Sequence, residues 1–325
     1  VVSYLGNDKL KWETTNQFDV GLDLGLFKDK LSFVLDYYYK KTFNLLQYVT
    51  LPTSTGFASQ LENVGTIQNK GIEATVNARI VDSKNFGWNI SANISTNNNK
   101  ILSLGGVQEE WVQTIGTEPV NYQPFVQQVG KPIGIIMGWK EDGIFQNEKE
   151  VLDSKFYDGQ PEAIIKREVG EIRYKDINGD GVIDDNDRTI IGNVNPKFYY
   201  GFSTNFNYKN FDLSIFLQGV YGGDIINTLK YIPDNLGSYS NTTVEAYNDR
   251  WTGDGSKGTN PKDILNSFRD FKFSNRFVEN GSYLRVKNVN LGYTFDLKNR
   301  VIVKSLRIFT SVNNLFTITK YSGYD

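Results

Sequence analysis

Phe18-Asp19-Val20-Gly21-Leu22-Asp23-Leu24-Gly25-Leu26 alternates apolar and polar or small residues without a break. Successive side chains of a strand point to opposite faces, so this stretch puts Phe18, Val20, Leu22, Leu24 and Leu26 on one face. Asp19 and Asp23 lie on the other. The short polar segment Lys28–Lys30 follows, and the same period resumes in Leu31, Phe33, Leu35, Tyr37 and Tyr39. Two long alternating runs joined by so short a turn read as an antiparallel hairpin.

The pattern recurs along the chain. Ile72, Ala74, Val76, Ala78 and Ile80 form one face of a third strand, and Trp88, Ile90, Ala92 and Ile94 of a fourth. Tyr200, Phe202, Phe206 and Tyr208 mark a fifth, and Phe211, Leu213, Ile215 and Leu217 a sixth. Val289, Leu291, Tyr293 and Phe295 give a seventh; Leu306, Ile308 and Val312 give an eighth. The fold class is all-β and antiparallel.

The connections sort into two kinds. Lys28–Lys30, Asp82–Phe86, Lys209-Asn210 and Lys298–Val303 are short turns. Leu46–Gln68, Asn99–Asn195 and Gly223–Asn280 are long. Short and long alternate strictly, which places every short turn at one end of the sheet and every long loop at the other. Transmembrane β-barrels of outer membranes have this asymmetry, with short periplasmic turns and long extracellular loops. A soluble sandwich has no reason to sort its loops this way. Strands of about 12–15 residues also exceed the usual globular length of about 5–6. The chain is therefore expected to form a partial outer-membrane barrel over residues 1–325, with a long folded extracellular region at 99–195.

Composition agrees and narrows the function. Hydrophobic residues make up 39% of the 325-residue chain and mean hydropathy is −0.41. No run of 18 apolar residues exists to form a membrane helix. Alternating strands escape that test because their two faces average out. Aromatic residues reach 14%, with 19 Tyr and 21 Phe, which suits strands and membrane-interface girdles. Net charge is −2, which gives no electrostatic case for nucleic acid. The chain has no Cys and no His. That removes thiol and imidazole catalysis, disulfides and thiolate metal sites. Carboxylate chemistry remains, but Glu109-Glu110 and Asp184-Asp185 are adjacent in sequence, which does not make two carboxyls face one substrate. The chain is not expected to be an enzyme.

One motif carries sharp chemistry. Asp176-Ile-Asn-Gly-Asp-Gly-Val-Ile-Asp-Asp-Asn-Asp187 lies inside the longest loop. Asp176, Asn178 and Asp180 take positions 1, 3 and 5 of a twelve-residue calcium loop, and Gly181 takes the sharp-turn position 6. Val182 would offer its carbonyl, Asp184 would bind directly or through water, and Asp187 would close the loop. Position 12 is Asp where Glu is usual, so the shorter arm suggests modest affinity. The expected cofactor is a structural Ca²⁺. Trp111, Tyr122, Trp139 and Phe145 share that loop and are expected to pack within it rather than stack on sugars. Trp251, after a helix expected at Asn241–Tyr247, is read the same way.

The first strand starts, and the eighth ends, at the long-loop end. Both Val1 and Asp325 then lie outside the cell, whereas a complete barrel usually has its ends in the periplasm. The expectation is a fragment with strands missing at both ends; an intact small eight-stranded barrel is the alternative architecture.

Five segments together resemble the SusC/RagA-like TonB-dependent transporters of Bacteroidota. They are Leu10-Lys-Trp-Glu-Thr-Thr-Asn-Gln-Phe-Asp-Val-Gly21, Asn63-Val-Gly-Thr-Ile-Gln-Asn-Lys-Gly-Ile-Glu-Ala74 and Gly170-Glu-Ile-Arg-Tyr-Lys-Asp-Ile-Asn-Gly-Asp-Gly-Val-Ile-Asp184. Tyr283-Leu-Arg-Val-Lys-Asn-Val-Asn-Leu-Gly-Tyr293 and Val312-Asn-Asn-Leu-Phe-Thr-Ile-Thr-Lys-Tyr-Ser-Gly-Tyr-Asp325 complete the set. The resemblance implies a 22-stranded barrel, of which about eight strands are here, with a plug that contacts TonB. It also implies a SusD-like surface lipoprotein as partner, outer-membrane lipid around the barrel, and import of oligosaccharides or peptides. Plug, TonB box, early strands and last strand have no counterpart in this sequence. Two other readings stay open: a small structural or adhesion barrel, and a secreted calcium-dependent glycan-binding β-protein.

Overall fold

Alternation of apolar and polar residues becomes eight long strands in the computed structural model, which describes residues 4–105, 109–112, 124–231, 241–264, 272–297 and 303–324. The strands are β1 (Thr14–Leu26), β2 (Leu31–Thr50), β3 (Ser59–Asp82), β4 (Phe86–Ser95), β5 (Pro196–Tyr208), β6 (Phe211–Gly222), β7 (Tyr283–Asp296) and β8 (Ser305–Thr319). Each pairs antiparallel with its neighbour in sequence, in the order β1 to β8. No strand is skipped, so the sheet is a plain meander. Among the described residues β1 and β8 do not pair with each other, and the small closed barrel of eight strands is not what forms.

Register keeps the two faces apart across the whole sheet. Leu22 faces Leu35, Leu35 faces Ala74, and Ala74 faces Ile94. One strand-step away, Asp23 faces Val34, which faces Thr75, which faces Asn93. The apolar face is uncovered by protein: Phe18 is 60% exposed, Leu22 59% and Ile308 58%. A soluble β-protein buries such a face. Here it is the surface that lipid covers, and the Asn- and Ser-rich face is the one turned to the lumen.

β2 and β3, at 20 and 24 residues, are far longer than the about 9–11 residues a tilted strand needs to cross a bilayer. The segment Leu46–Gln68, expected to be a long loop, is instead the top of this hairpin. Thr50 pairs with Ser59, and a single 3-10 turn at Thr53–Thr55 closes it. The alternation falters at Asn44, a left-handed residue (φ 56°) in a bulge, which hid the continuing pairing. Backbone groups standing in water gain little from pairing alone, and the outer edge of β3 is covered further down its length. Asn98–Leu104 pairs antiparallel with it at Gly65–Lys70, and Tyr4–Leu5 adds in parallel at Ser59–Gln60. Asn63 then ties the crossing chain down: its side chain donates to the carbonyls of Lys11 and Asn44 and accepts from the Lys11 amide, all within 2.8 Å.

Above the long-loop end sits a layer of short elements. Thr189–Asn193, Ile135–Gly138, Phe125–Gln128 and Glu109–Val112 form a four-stranded sheet in that spatial order. Glu141–Ile144 pairs with Ile172–Tyr174. Three helices of a turn or two lie beside them: α1 (Glu148–Asp153), α2 (Glu162–Glu168) and α3 (Val244–Asn248). The helix expected at Asn241–Tyr247 is α3, starting later because Thr243 caps it by accepting from the Ala246 amide. No described helix is long and apolar enough to cross a membrane.

Candidate functional site: a cleft and an Asp-rich loop in the long-loop layer

Ile136, Ile144, Ile172, Tyr231, Phe273 and Phe277 are buried together and hold the layer as one body. They come from both long loops, so the two loops share a core. Trp139 (3% exposed) and Phe145 (1%) are buried, and Trp251 packs on the same cluster. The expected packing role of these aromatics is what the structure has. The Trp111 side chain and all of Tyr122 lie outside the described residues.

Beside that core opens a cleft of about 1010 Å³. Its walls include Glu141, Asn227, Lys230, Asn260, Arg276 and Ser322, which the sequence scatters over about 180 positions. Glu141 and Arg276 form its most buried charged pair. The guanidinium donates from Nε and Nη2 to the two carboxylate oxygens at 3.0 and 2.7 Å, with each side chain about one-tenth exposed. Arg276 also donates to the carbonyl of Thr259 at 2.7 Å and to the side chain of Asn260. Ser274, wholly buried, donates to Glu141 at 2.5 Å. A desolvated pair costs free energy unless its remaining donors and acceptors are met, and here they are.

The opposite wall is organised by Glu279. Lys230 reaches it at 2.6 Å, and Asn227 and Ser322 donate to it at 3.0 and 2.8 Å. Burial alone would raise its pKa; the bonds from Lys230, Ser322 and Asn227 outweigh that and bring it down to about 2. The chain just after β8 is thereby fastened to the loop layer. Lys230 and Arg276 are paired in this way, which leaves Glu245 and Asp249 as the acidic part of the cleft wall. The resulting wall mixes apolar and polar surface, weakly acidic where Glu245 and Asp249 stand, and offers hydrogen-bonding groups to a ligand.

The Asp-rich motif folds as a tight loop behind this cleft. Gly179 and Gly181 both take positive φ, 78° and 83°, which the turn requires of glycine. Asp176 accepts from the amides of Gly179 (2.6 Å) and Gly181 (2.9 Å). The Gly181 amide is the main reason its pKa is lowered. Asn178 and Asp180 pair through their side chains at 2.8 Å, and Asp180 accepts from the Val182 amide. Asp187 is wholly buried and accepts from the Ile177 and Asp184 amides, both at 2.8 Å. Its side chain also reaches Asp176, so positions 1 and 12 meet. Asp184 turns the other way and accepts from Asn186. Among the described residues no group of three acidic side chains converges as a ready-made metal cage. The structure thus brings together Asp176 with Asp187 and Asn178 with Asp180, and leaves Asp184 apart.

Trp139 connects loop and cleft. Its indole N–H donates to the carbonyl of Asp184 at 2.9 Å, with Arg188 and Lys272 5.2 and 4.8 Å from its ring. Its backbone pairs with Phe273 and Asn275, and the Asn275 side chain accepts from the Glu141 amide. Sequence reading placed Trp139 in a folded loop but missed Glu141, Arg276 and Glu279. Their meeting is tertiary and leaves no local spacing to read.

Residues 1–315 match the family described as TonB dependent receptor-like, beta-barrel. TonB-dependent receptor P3 of Formosa agariphila is 33% identical over 100% of this chain and 32% of its own length. TonB-dependent receptor SusC of Bacteroides thetaiotaomicron is 30% identical over 98% of this chain and 30% of its own. Among solved structures, one described as the RagAB peptide transporter superposes with a TM-score of 0.78 at 26% identity, covering 99% of this chain and 33% of that one. The chain spans about a third of the length of these relatives.

Proposed function

The chain belongs to the TonB-dependent receptor-like β-barrel family, an outer-membrane family, and on that premise we propose that it forms one sector of a SusC/RagA-like importer. The observation that carries this reading is the agreement of strands and long-loop layer together with a solved transporter over nearly the whole chain. Strand agreement alone would fit any barrel; the loop layer is what distinguishes an importer's outer face.

In this reading the short turns face the periplasm and the loop layer faces outside. The cleft lined by Glu141, Asn260 and Arg276 then lies where a solute first meets the barrel. The importer takes oligosaccharides or peptides, works with a SusD-like surface lipoprotein, and draws energy through TonB by way of a plug. Support for the partner and the cargo comes from relatives: SusC by name, and RagAB as a peptide transporter by description. The chain's own role is passage and binding, not covalent chemistry.

The same reading gives the Asp-rich loop a structural Ca²⁺. Asp176, Asn178, Asp180, Val182, Asp184 and Asp187 are all oxygen donors, which suits a hard cation. Asp176 and Asp187 already lie together at positions 1 and 12, so their carboxyl groups are placed to share one ion.

The test uses the full-length protein in its own membrane. Cells producing it should take up a labelled oligosaccharide or peptide pool, and uptake should stop when TonB is deleted. A SusD-like lipoprotein should copurify in mild detergent. Uptake that persists without TonB would overturn the importer reading.

A further inference from the structure

We propose that the apolar face carries a built binding groove for one phospholipid of the periplasmic leaflet, with its acyl chain between β6, β7 and β8 and its phosphate at the short-turn rim. Lipid wets the whole apolar face of any barrel; this inference concerns a single retained molecule.

The groove has a volume of about 570 Å³ and is walled by Phe211, Leu291, Tyr293, Phe295, Ile308 and Thr310. All six share the apolar face by register: Phe211 faces Tyr293, Tyr293 faces Ile308, and Leu291 faces Thr310. Here the aromatic rings draw together on one side. Tyr293 packs edge-on against both Phe211 and Phe295, with ring centroids 4.5 and 4.6 Å apart. The clustered rings leave a trough floored by Leu291 and Thr310 and flanked by Ile308. Its size suits a stretch of one flexible hydrocarbon chain.

The end of the trough gives the head group its sign. It runs out at the turns that begin β6 and β8, where Lys209 and Lys304 stand exposed. Lys209 precedes Asn210, which is stitched to β7 by reciprocal bonds with Thr294 (2.6 and 2.9 Å). Lys304 is held by the bond from the Leu297 amide to its carbonyl at 2.9 Å. Both backbones are therefore fixed on the rim above Phe295. Lys209 also lies 5.4 Å from the Tyr208 ring, so its stem follows the apolar surface while its ammonium stays at the interface. Two cations at the mouth of an apolar trough match a phosphate-bearing head and an acyl tail.

The experiment is native mass spectrometry of the full-length barrel, released from nanodiscs of phosphatidylglycerol mixed with phosphatidylcholine. The wild type should keep one phosphatidylglycerol adduct. Lys209→Gln with Lys304→Gln should lower its retention about thirtyfold, which is about 1 kcal/mol for each lysine beside an anionic head group. Leu291→Trp fills the trough and should abolish retention of either lipid. Each variant is accepted only if its heat-modifiable migration matches the wild type; Thr310→Phe serves as the second filling variant should Leu291→Trp misfold. Equal adducts in wild type and both filling variants would overturn the groove. Equal preference for phosphatidylglycerol in the lysine variant would overturn the head-group assignment and, with it, the proposal as stated.

Discussion

Arg307 on β8 and Asp212 on β6 form a two-pronged ion pair (3.1 and 2.6 Å) that reaches across the whole width of β7. They meet above Gly292, which is in register with Asp212, while Arg307 reaches it from beside Thr294, two residues further along β7. A side chain there would collide with both partners: a Cβ on Gly292 would lie 2.5 Å from Asp212 Oδ1 and 2.6 Å from Arg307 Nη2. The pair thus bridges alternate strands of the polar face because the strand between them carries nothing.

Two glycine substitutions should therefore behave differently. At Gly292 the obstacles are the ends of flexible side chains, so Gly292→Ala should break the pair and cost about 1 kcal/mol or less, the range of an exposed ion pair. At Gly71 the added Cβ would meet the backbone oxygen of Thr96 at 2.0 Å and Tyr38 at 2.5 Å. Gly71→Ala should cost about 1–3 kcal/mol, as overpacking does. Unfolding of the refolded full-length barrel in denaturant measures both, and equal losses would contradict the account.

Breaking the buried pair in the cleft should be costly. Arg276→Ala leaves Glu141 charged and nearly buried, and should destabilise the loop layer by about 3–5 kcal/mol. Glu141→Gln keeps acceptor and shape and should cost less. Hydrogen exchange in 259–277 reads the difference without requiring the barrel itself to unfold.

Acid should loosen the junction after β8. The Glu279 pKa falls from 4.5 to about 2 on folding. A depressed carboxylate adds stability that is fully present above its unfolded value and disappears as pH drops through its folded value. Exchange protection of the amide of Ser322, which donates to Glu279 at 2.7 Å, should accordingly decline between about pH 4.5 and pH 2. In Glu279→Gln that decline should vanish, and protection at pH 6 should already be lower.

Chelation tests the Asp-rich loop. With calcium removed, exchange across 176–191 should rise in the wild type, and Asp187→Asn should show the raised level with or without calcium. Trp139→Phe removes the donor to the Asp184 carbonyl and should cost about 1–2 kcal/mol locally, loosening the same stretch while leaving calcium able to restore part of its order. Exchange indifferent to chelator would remove the ion from the account.

The sequence of β1 and β2 was legible because lipid on one side and a polar space on the other demand strict alternation, from Phe18 through Tyr39. The Asp176–Asp187 motif was legible because its spacing is local. The upper hairpin was not. At Gln47–Thr50 and Ser59–Asn63 both faces meet water or other chain segments, so no period of two is imposed there. The partnership of Glu141 with Arg276 spans 135 positions and depends on how two loops dock, which no window of sequence contains. The alternating loop lengths, by contrast, gave the direction of every strand before any contact was known.

The outer edge of β3 is met in turn by β4, by Asn98–Leu104 and by Tyr4–Leu5. That sharing imposes a timetable on assembly. Tyr4–Leu5 comes first in the chain yet has nowhere to lie until Ser59–Gln60, more than fifty residues later, has been threaded into place. These two residues therefore pair only with a hairpin that is already in place, and they clasp it like the tongue of a buckle.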